Sequence, residues 1–173
     1  MNFVQSIVQR LRKFRAAPDR VHAHCDIPCG IYDPHAAQIA ALTVIRMNQL
    51  IQELKRPGAN GSSADLDAYA HQLSRYAKVK EDHAEICKHE LRVIWGDYFT
   101  PDHLKQHPEL HTLFWEAMKL ASKARQEINL DAAQQLLAKI QQIAGIFWET
   151  KGVKTKRQPS NQKAKGELVY AAA

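Results

Sequence analysis

The sequence predicts an all-α protein: an antiparallel four-helix bundle preceded by a short metal-binding hook. Three observations carry that expectation. Apolar residues recur at helical spacing in four segments between Pro34 and Glu149, and no segment shows the alternating period of a strand. The connections between those segments are of modest length and hold the prolines, glycines and serines that stop helices, as antiparallel neighbours require. Ahead of the first segment lies His24-Cys25-Asp26-Ile27-Pro28-Cys29-Gly30-Ile31-Tyr32-Asp33-Pro34, with two thiols four residues apart and a histidine directly before the first.

Taken in order, residues 2–15 read as a basic amphipathic helix, with Phe3, Ile7, Leu11 and Phe14 at helical spacing among Arg10, Arg12, Lys13 and Arg15. An Arg-rich, acid-poor start suits a solvated helix end, an organellar transit peptide or a surface-seeking helix. It lacks the apolar region of a secretory signal. In the first bundle helix Asp33 is the N-cap and Pro34 the first helical residue. Ile39, Leu42, Met47, Leu50, Ile51 and Leu54 mark its apolar side as far as Arg56, before Pro57-Gly58. Asn60-Gly61-Ser62-Ser63 is a loop, and Ser62 with Asp65 opens a long second helix. Leu66, Tyr69, Leu73, Tyr76, Cys87, Leu91, Ile94 and Trp95 line one side of it, and Gly96 and Pro101 close it. Thr100-Pro101 opens a third helical region, restarted at Pro108 and running through Leu113, Phe114, Ala117, Leu120 and Ala124. The fourth, from Asp131 to Glu149, uses Leu136, Leu137, Ile140, Ile143, Ala144 and Phe147. From 154 the chain is rich in Lys, Gln and Ser around a proline and reads as a basic disordered tail, 154–173.

The 173 residues suffice for one domain with a real core, and the 45% hydrophobic content is ordinary. A formal charge of +6 resembles a nucleic-acid signal only until it is located. Residues 1–23 carry +4 and residues 151–173 carry +5, whereas 24–150 carry −3. A basic recognition face on the domain is therefore not expected, nor a nucleic-acid partner. Three cysteines without framework spacing exclude a disulfide scaffold. No apolar run reaches the roughly 20 residues needed for an integral membrane segment. A reducing, cytoplasmic compartment suits free thiols, with organellar targeting by residues 1–23 as the alternative.

Pro28 and Gly30 argue against a helix through the two thiols and for a hook that turns both sulfurs toward one ion. Soft thiolates beside nitrogen donors suit copper, nickel or zinc, and a planar N/S set favours nickel or copper. Zinc normally takes four side-chain ligands, and this segment supplies three, His24, Cys25 and Cys29. Backbone nitrogens complete the set if the chain is cut just before His24. Val21-His22-Ala23 places small residues where a signal-peptidase-type site has them, so Ala23/His24 is the expected scissile bond.

The stretch from His24 to Pro34 resembles the metal hook of nickel superoxide dismutase, matching its pattern His-Cys-Asp-x-Pro-Cys-Gly-x-Tyr-Asp-Pro at every fixed position. Trp95-Gly96-Asp97-Tyr98-Phe99, Pro108-Glu109-Leu110-His111 and Ile146-Phe147-Trp148-Glu149-Thr150-Lys151 resemble later blocks of the same family, in order. The likeness thus runs from His24 to about Val153. It implies a four-helix-bundle domain, 24–153, assembled as a homohexamer with each hook tied down against a neighbour, and a propeptide, 1–23, removed by a maturation peptidase. It also implies one nickel ion per subunit, alternating between Ni(III) and Ni(II) as superoxide becomes dioxygen and hydrogen peroxide. The implied ligands are the Cys25 and Cys29 sulfurs, the Cys25 backbone nitrogen and the freed His24 amine, with the His24 imidazole axial in the oxidised state. Tyr32 and Tyr98 are implied to hold small molecules or water at the metal's open face, and Asp26 and Pro28 to fix the hook's backbone. Thiolates and a deprotonated amide stabilise the higher oxidation state that hydrated nickel does not reach.

Two positions depart from the family pattern. Its members carry a Glu where this chain has Ala40 and an Arg where it has His83, two groups that hold the axial histidine. A histidine on a mixed polar helix is ordinarily a surface residue, and that is the expectation for His83, with substitution for the missing groups as the alternative. His103, His107 and His111 recur at four-residue spacing, but Pro108 breaks their helix, so they read as surface histidines. Cys87 reads as a small core residue. There is no pair of Glu-x-x-His motifs for a di-iron bundle. Two other functions compete: a non-catalytic nickel or copper carrier, and an interaction protein acting through its basic ends.

Overall fold

A computed structural model describes residues 30–172 of the chain. The amphipathic stretch 2–15, the scissile bond Ala23/His24, and Asp26 with the candidate ligands His24, Cys25 and Cys29 lie outside the described residues. The order is α1 (His35–Glu53), α2 (Ser63–Val93), a π-helical turn (Ile94–Tyr98), α3 (Pro101–Gln106), α4 (Leu110–Gln126), α5 (Leu130–Thr150), β1 (Thr155–Pro159) and β2 (Glu167–Ala171). The described residues are mostly helical, with four long helices, one short one and a small two-stranded sheet.

The helix boundaries follow local chemistry. α1 starts one residue later than the sequence suggests, yet Asp33 still caps it: its Oδ1 accepts the His35 N–H at 2.7 Å. α1 stops at Glu53, ahead of Pro57-Gly58. At the head of α2, Ser62 Oγ accepts the Asp65 N–H while the Asp65 carboxylate accepts the Ser62 N–H, so two orphan donors are satisfied reciprocally. α5 is capped by Asn129, whose Oδ1 accepts the Ala132 N–H at 2.9 Å.

α1 packs on α2 and α5, and α4 packs on the same two, so the long helices close a ring around one core. Small residues let the backbones approach. Ala37 and Ala41 of α1 and Ala84 and Cys87 of α2 are wholly buried, and the Cys87 thiol reaches the Ala37 carbonyl at 3.5 Å. Phe114 and Phe147 are buried near the π-turn, against Phe99 and Tyr98 respectively. Lys80 is an unexpected core member. It is 3% exposed, and its ammonium donates to the carbonyls of Ala124, Arg125 and Glu127, each at 2.7 Å. It thereby serves the unpaired acceptors at the end of α4, where a cation also meets the negative end of the helix dipole.

The structure refines one expectation and corrects another. The apolar side that the sequence marks on α2 is buried only in its later part: Cys87 and Leu91 are buried, but among the residues of α2 before Lys80 none is. The segment expected to be a disordered tail is instead an antiparallel hairpin, with Thr155 opposite Ala171 and Pro159 opposite Glu167. Its β1 is exposed throughout, so it carries no alternation; β2 buries Leu168 and Val169. Ser160, Asn161, Lys165 and Gly166 make the turn, with Gly166 at φ +83°. Three glutamines tether the hairpin: Gln49 Nε2 donates to Ala164 O, Gln141 Nε2 to Glu167 O, and the wholly buried Gln38 pairs with both main-chain polar groups of Val169.

Candidate metal centre

Of the expected hook the structure describes residues 30–34, its root, where Gly30 has φ +72°. Asp33 and Pro34 turn the chain into α1, and Tyr32 packs back against the core. Its ring meets that of Tyr98 with centroids 5.7 Å apart and planes inclined at 55°. The two tyrosines singled out from the sequence, 66 positions apart, are thus brought together beside the root of the hook.

Tyr98 ends the π-helical turn, an irregularity that re-aims side chains at the close of α2. Its position is set by aromatic contacts on several sides: Phe147 at 4.5 Å, Phe99 at 5.1 Å edge-on and His103 stacked at 5.6 Å. The phenol lies 2.8 Å from Thr150 Oγ1. The Thr150 hydroxyl donates to the Phe147 carbonyl, so the Tyr98 O–H is the donor in that pair. Its oxygen keeps lone pairs to accept a hydrogen bond from a small molecule. Lys151 places its ammonium over the faces of Phe147 (4.6 Å), Tyr98 (5.4 Å) and Trp148 (5.7 Å), a cation beside the phenol. Thr150, Lys151 and His103 were not singled out as neighbours of Tyr98 from the sequence. The Phe147-Trp148-Glu149-Thr150-Lys151 block was the available signal, since residues one helical turn apart share a face.

The other candidate donors are accounted for locally. Cys87 is wholly buried and burial pushes its thiol well up, so it stays protonated and is a core residue as expected. His103, His107 and His111 do not form a stripe. His103 Nδ1 accepts the Thr100 N–H, half-buried His107 lies between Glu109 and Glu149, and exposed His111 meets Trp95 edge-on. Among the described residues no group of three His, Cys, Asp or Glu side chains is placed to hold a metal. The sulfur and nitrogen donors that His24, Cys25 and Cys29 carry are of the soft type that suits nickel.

Ala40 is 3% exposed and His83 is half-buried rather than a surface residue. His83 Nδ1 lies 2.9 Å from the Val79 carbonyl, which only accepts, so Nδ1 is the donor of that pair. Among the described residues no helix is long and apolar enough to cross a membrane.

Known proteins supply an independent comparison. The family model for nickel-containing superoxide dismutase matches residues 19–151. The superoxide dismutase [Ni] of Streptomyces seoulensis is 44% identical over 141 residues, covering 82% of this chain and 98% of its own. That of Streptomyces coelicolor is 40% identical over 131 residues, covering 76% and 90%. A native nickel superoxide dismutase structure superposes with a TM-score of 0.64 at 38% identity, covering 74% of this chain and 99% of that one. A structure with nickel ligation corresponding to the oxidised state gives a TM-score of 0.63 at 41% identity, covering 75% and 99%.

Proposed function

The chain belongs to the nickel-containing superoxide dismutase family, and from that premise we propose how its own residues serve the activity. That activity is the dismutation of superoxide, with nickel as cofactor. When bound, nickel supplies the one-electron chemistry, taking an electron from one superoxide and passing it to the next.

His24, Cys25 and Cys29 would hold the ion, through the two thiolates, the Cys25 backbone nitrogen, and the amine and imidazole of His24. An amine exists at His24 only once the chain is cut after Ala23, so a maturation peptidase activates the enzyme and residues 1–23 are a propeptide. Asp26 fixes the hook's backbone. Tyr32 and Tyr98 hold water or the small anionic substrate at the open face. The observation that carries this role is their pairing at the root of the hook, together with the Tyr98 O–H spent on Thr150, which leaves the phenol oxygen to accept. Peroxide formation consumes protons, and a water held by that oxygen is a suitable carrier for them. Lys151 adds a positive charge beside the phenol, favourable to an anionic substrate.

The closed ring of long helices supports reading the fold as an antiparallel four-helix bundle. The stripe Leu66, Tyr69, Leu73 and Tyr76 on α2, exposed or only half-buried among the described residues, supports assembly, as a homohexamer, through this face. His83, half-buried and held through Nδ1 on the Val79 carbonyl, would take the place of the family's arginine as a support for the His24 imidazole. Cytoplasmic residence suits the reduced thiols, with organellar targeting by residues 1–23 as the variant. The test of maturation is N-terminal mass analysis of active, nickel-loaded protein. Chains beginning at His24 are expected; full activity in chains that retain Ala23 contradicts the cleavage step.

A further inference from the structure

We propose that the C-terminal hairpin is a brace for the root of the metal hook, with Tyr170 and Gln38 as its positioning residues. The inference rests on the hook being the nickel site. The family match ends at residue 151, and the solved structures are covered almost entirely by about three-quarters of this chain. β1 and β2 therefore lie beyond what the match accounts for, yet they are built into the frame. Gln38 is wholly buried in the first turn of α1, and its side-chain amide stands in for a neighbouring strand: Nε2 donates to Val169 O at 3.0 Å and Oε1 accepts Val169 N–H at 2.8 Å. A buried amide satisfied at both ends holds one geometry, because shifting the strand leaves polar groups unpaired. One residue on, the Tyr170 ring packs on the His35 ring with centroids 5.5 Å apart. His35 is the residue whose N–H the Asp33 carboxylate caps, so the contact bears on the turn from which the hook departs. The far side of β2 is secured to α5 by Gln141, itself bonded by Arg157 of β1. The brace thus ties the start of α1 to α5, the helix that ends at Thr150 and is followed by Lys151, both beside Tyr98.

Partners that orient metal ligands from outside the coordination shell typically change metal affinity by about 10–100-fold when removed. Acting one step further out, loss of the Tyr170 ring is expected to sit at the lower end, about tenfold. The test compares nickel-loaded protein beginning at His24 with its Tyr170→Ala, Tyr170→Phe and Gln38→Leu variants. The readouts are nickel loss to a competing chelator, the thiolate-to-nickel charge-transfer bands and the thermal midpoint. Tyr170→Ala is expected to lose nickel about tenfold faster with shifted bands, and Tyr170→Phe, which keeps the ring, to match the parent. Gln38→Leu is expected to resemble Tyr170→Ala with an additional fall in thermal midpoint. Parent-like nickel retention and bands in Tyr170→Ala, or equal defects in the Phe and Ala variants, overturn the brace. Failure of the parent itself to bind nickel overturns the reading of the hook instead.

Discussion

Replacing Lys80 with methionine tests the packing of the frame that carries Tyr98. Methionine keeps most of the length and the apolar stem but removes three donors. The ammonium serves the carbonyls of Ala124, Arg125 and Glu127. Ala124 is wholly buried, so its carbonyl loses a partner that water does not readily replace, at about 1–3 kcal/mol. Arg125 and Glu127 are exposed residues whose carbonyls rehydrate, at about 0.5 kcal/mol each. Relief of the ammonium's own desolvation returns part of this. The expected net loss is about 2–3 kcal/mol, or roughly 5–10 °C in thermal midpoint for a domain of this size. Denaturant unfolding at one fixed protein concentration measures it, so that assembly does not alter the comparison. The pH dependence supplies a second readout. Burial lowers the Lys80 pKa from its ordinary 10.5, against smaller opposing effects of Glu81 and Glu127. The unfolded chain therefore binds the proton more tightly, and the desolvation cost borne at neutral pH is relieved as pH rises toward 10.5. The stability gap between parent and Lys80→Met is expected to widen over that range. A change below about 0.5 kcal/mol at neutral pH, the level of an ordinary surface substitution, refutes the capping role.

Other outcomes follow from the same structure. Tyr98→Phe keeps the ring contacts with Tyr32 and Phe147 and loses one half-buried hydrogen bond, so stability is expected to fall by about 1 kcal/mol or less while turnover falls several-fold; stopped-flow superoxide decay and calorimetry separate the two. Cys87→Ala is expected to retain one nickel per chain by metal analysis, whereas Cys25→Ser and Cys29→Ser each abolish it, because the buried Cys87 thiol is held protonated. Hydrogen bonds from Ser62 hold the Asp65 carboxyl below its ordinary 3.8, and Arg92 with other nearby cations holds Glu85 below 4.5. Both contribute stability above those values that is lost as pH falls through their folded-state pKa, so Asp65→Asn and Glu85→Gln should flatten acid unfolding below about pH 4.5.

The features that could be read from the sequence are those set by neighbours along the chain. Asp33-Pro34, the Ser62/Asp65 box and Pro57-Gly58 act within one helical turn, and they mark α1 and α2 as found. Cys87, at helical spacing among apolar residues, is core as its pattern suggests. What escaped depends on distant partners. β1 is exposed along its whole length and has no alternation to betray it, and β2 is held by a Gln38 amide 131 positions away. Lys80 sits in the core because the end of α4 offers three carbonyls, which composition alone does not reveal. Leu66, Tyr69, Leu73 and Tyr76 have the spacing of a packed face, yet among the described residues Leu66 is exposed and the other three are only half-buried, since periodicity reports amphipathicity and not which surface covers it. At the candidate site, Tyr32 and Tyr98 were marked by family resemblance, whereas Thr150 and His103 became apparent only once α5 and α3 were placed around Tyr98.

The most direct measurement is superoxide turnover by nickel-loaded protein beginning at His24, with the uncut chain treated identically. The expected result is rapid turnover by the cut form alone, at one nickel per chain. Bound nickel without turnover in either form contradicts the catalytic role of the hook, and equal turnover in both contradicts activation by cleavage before His24.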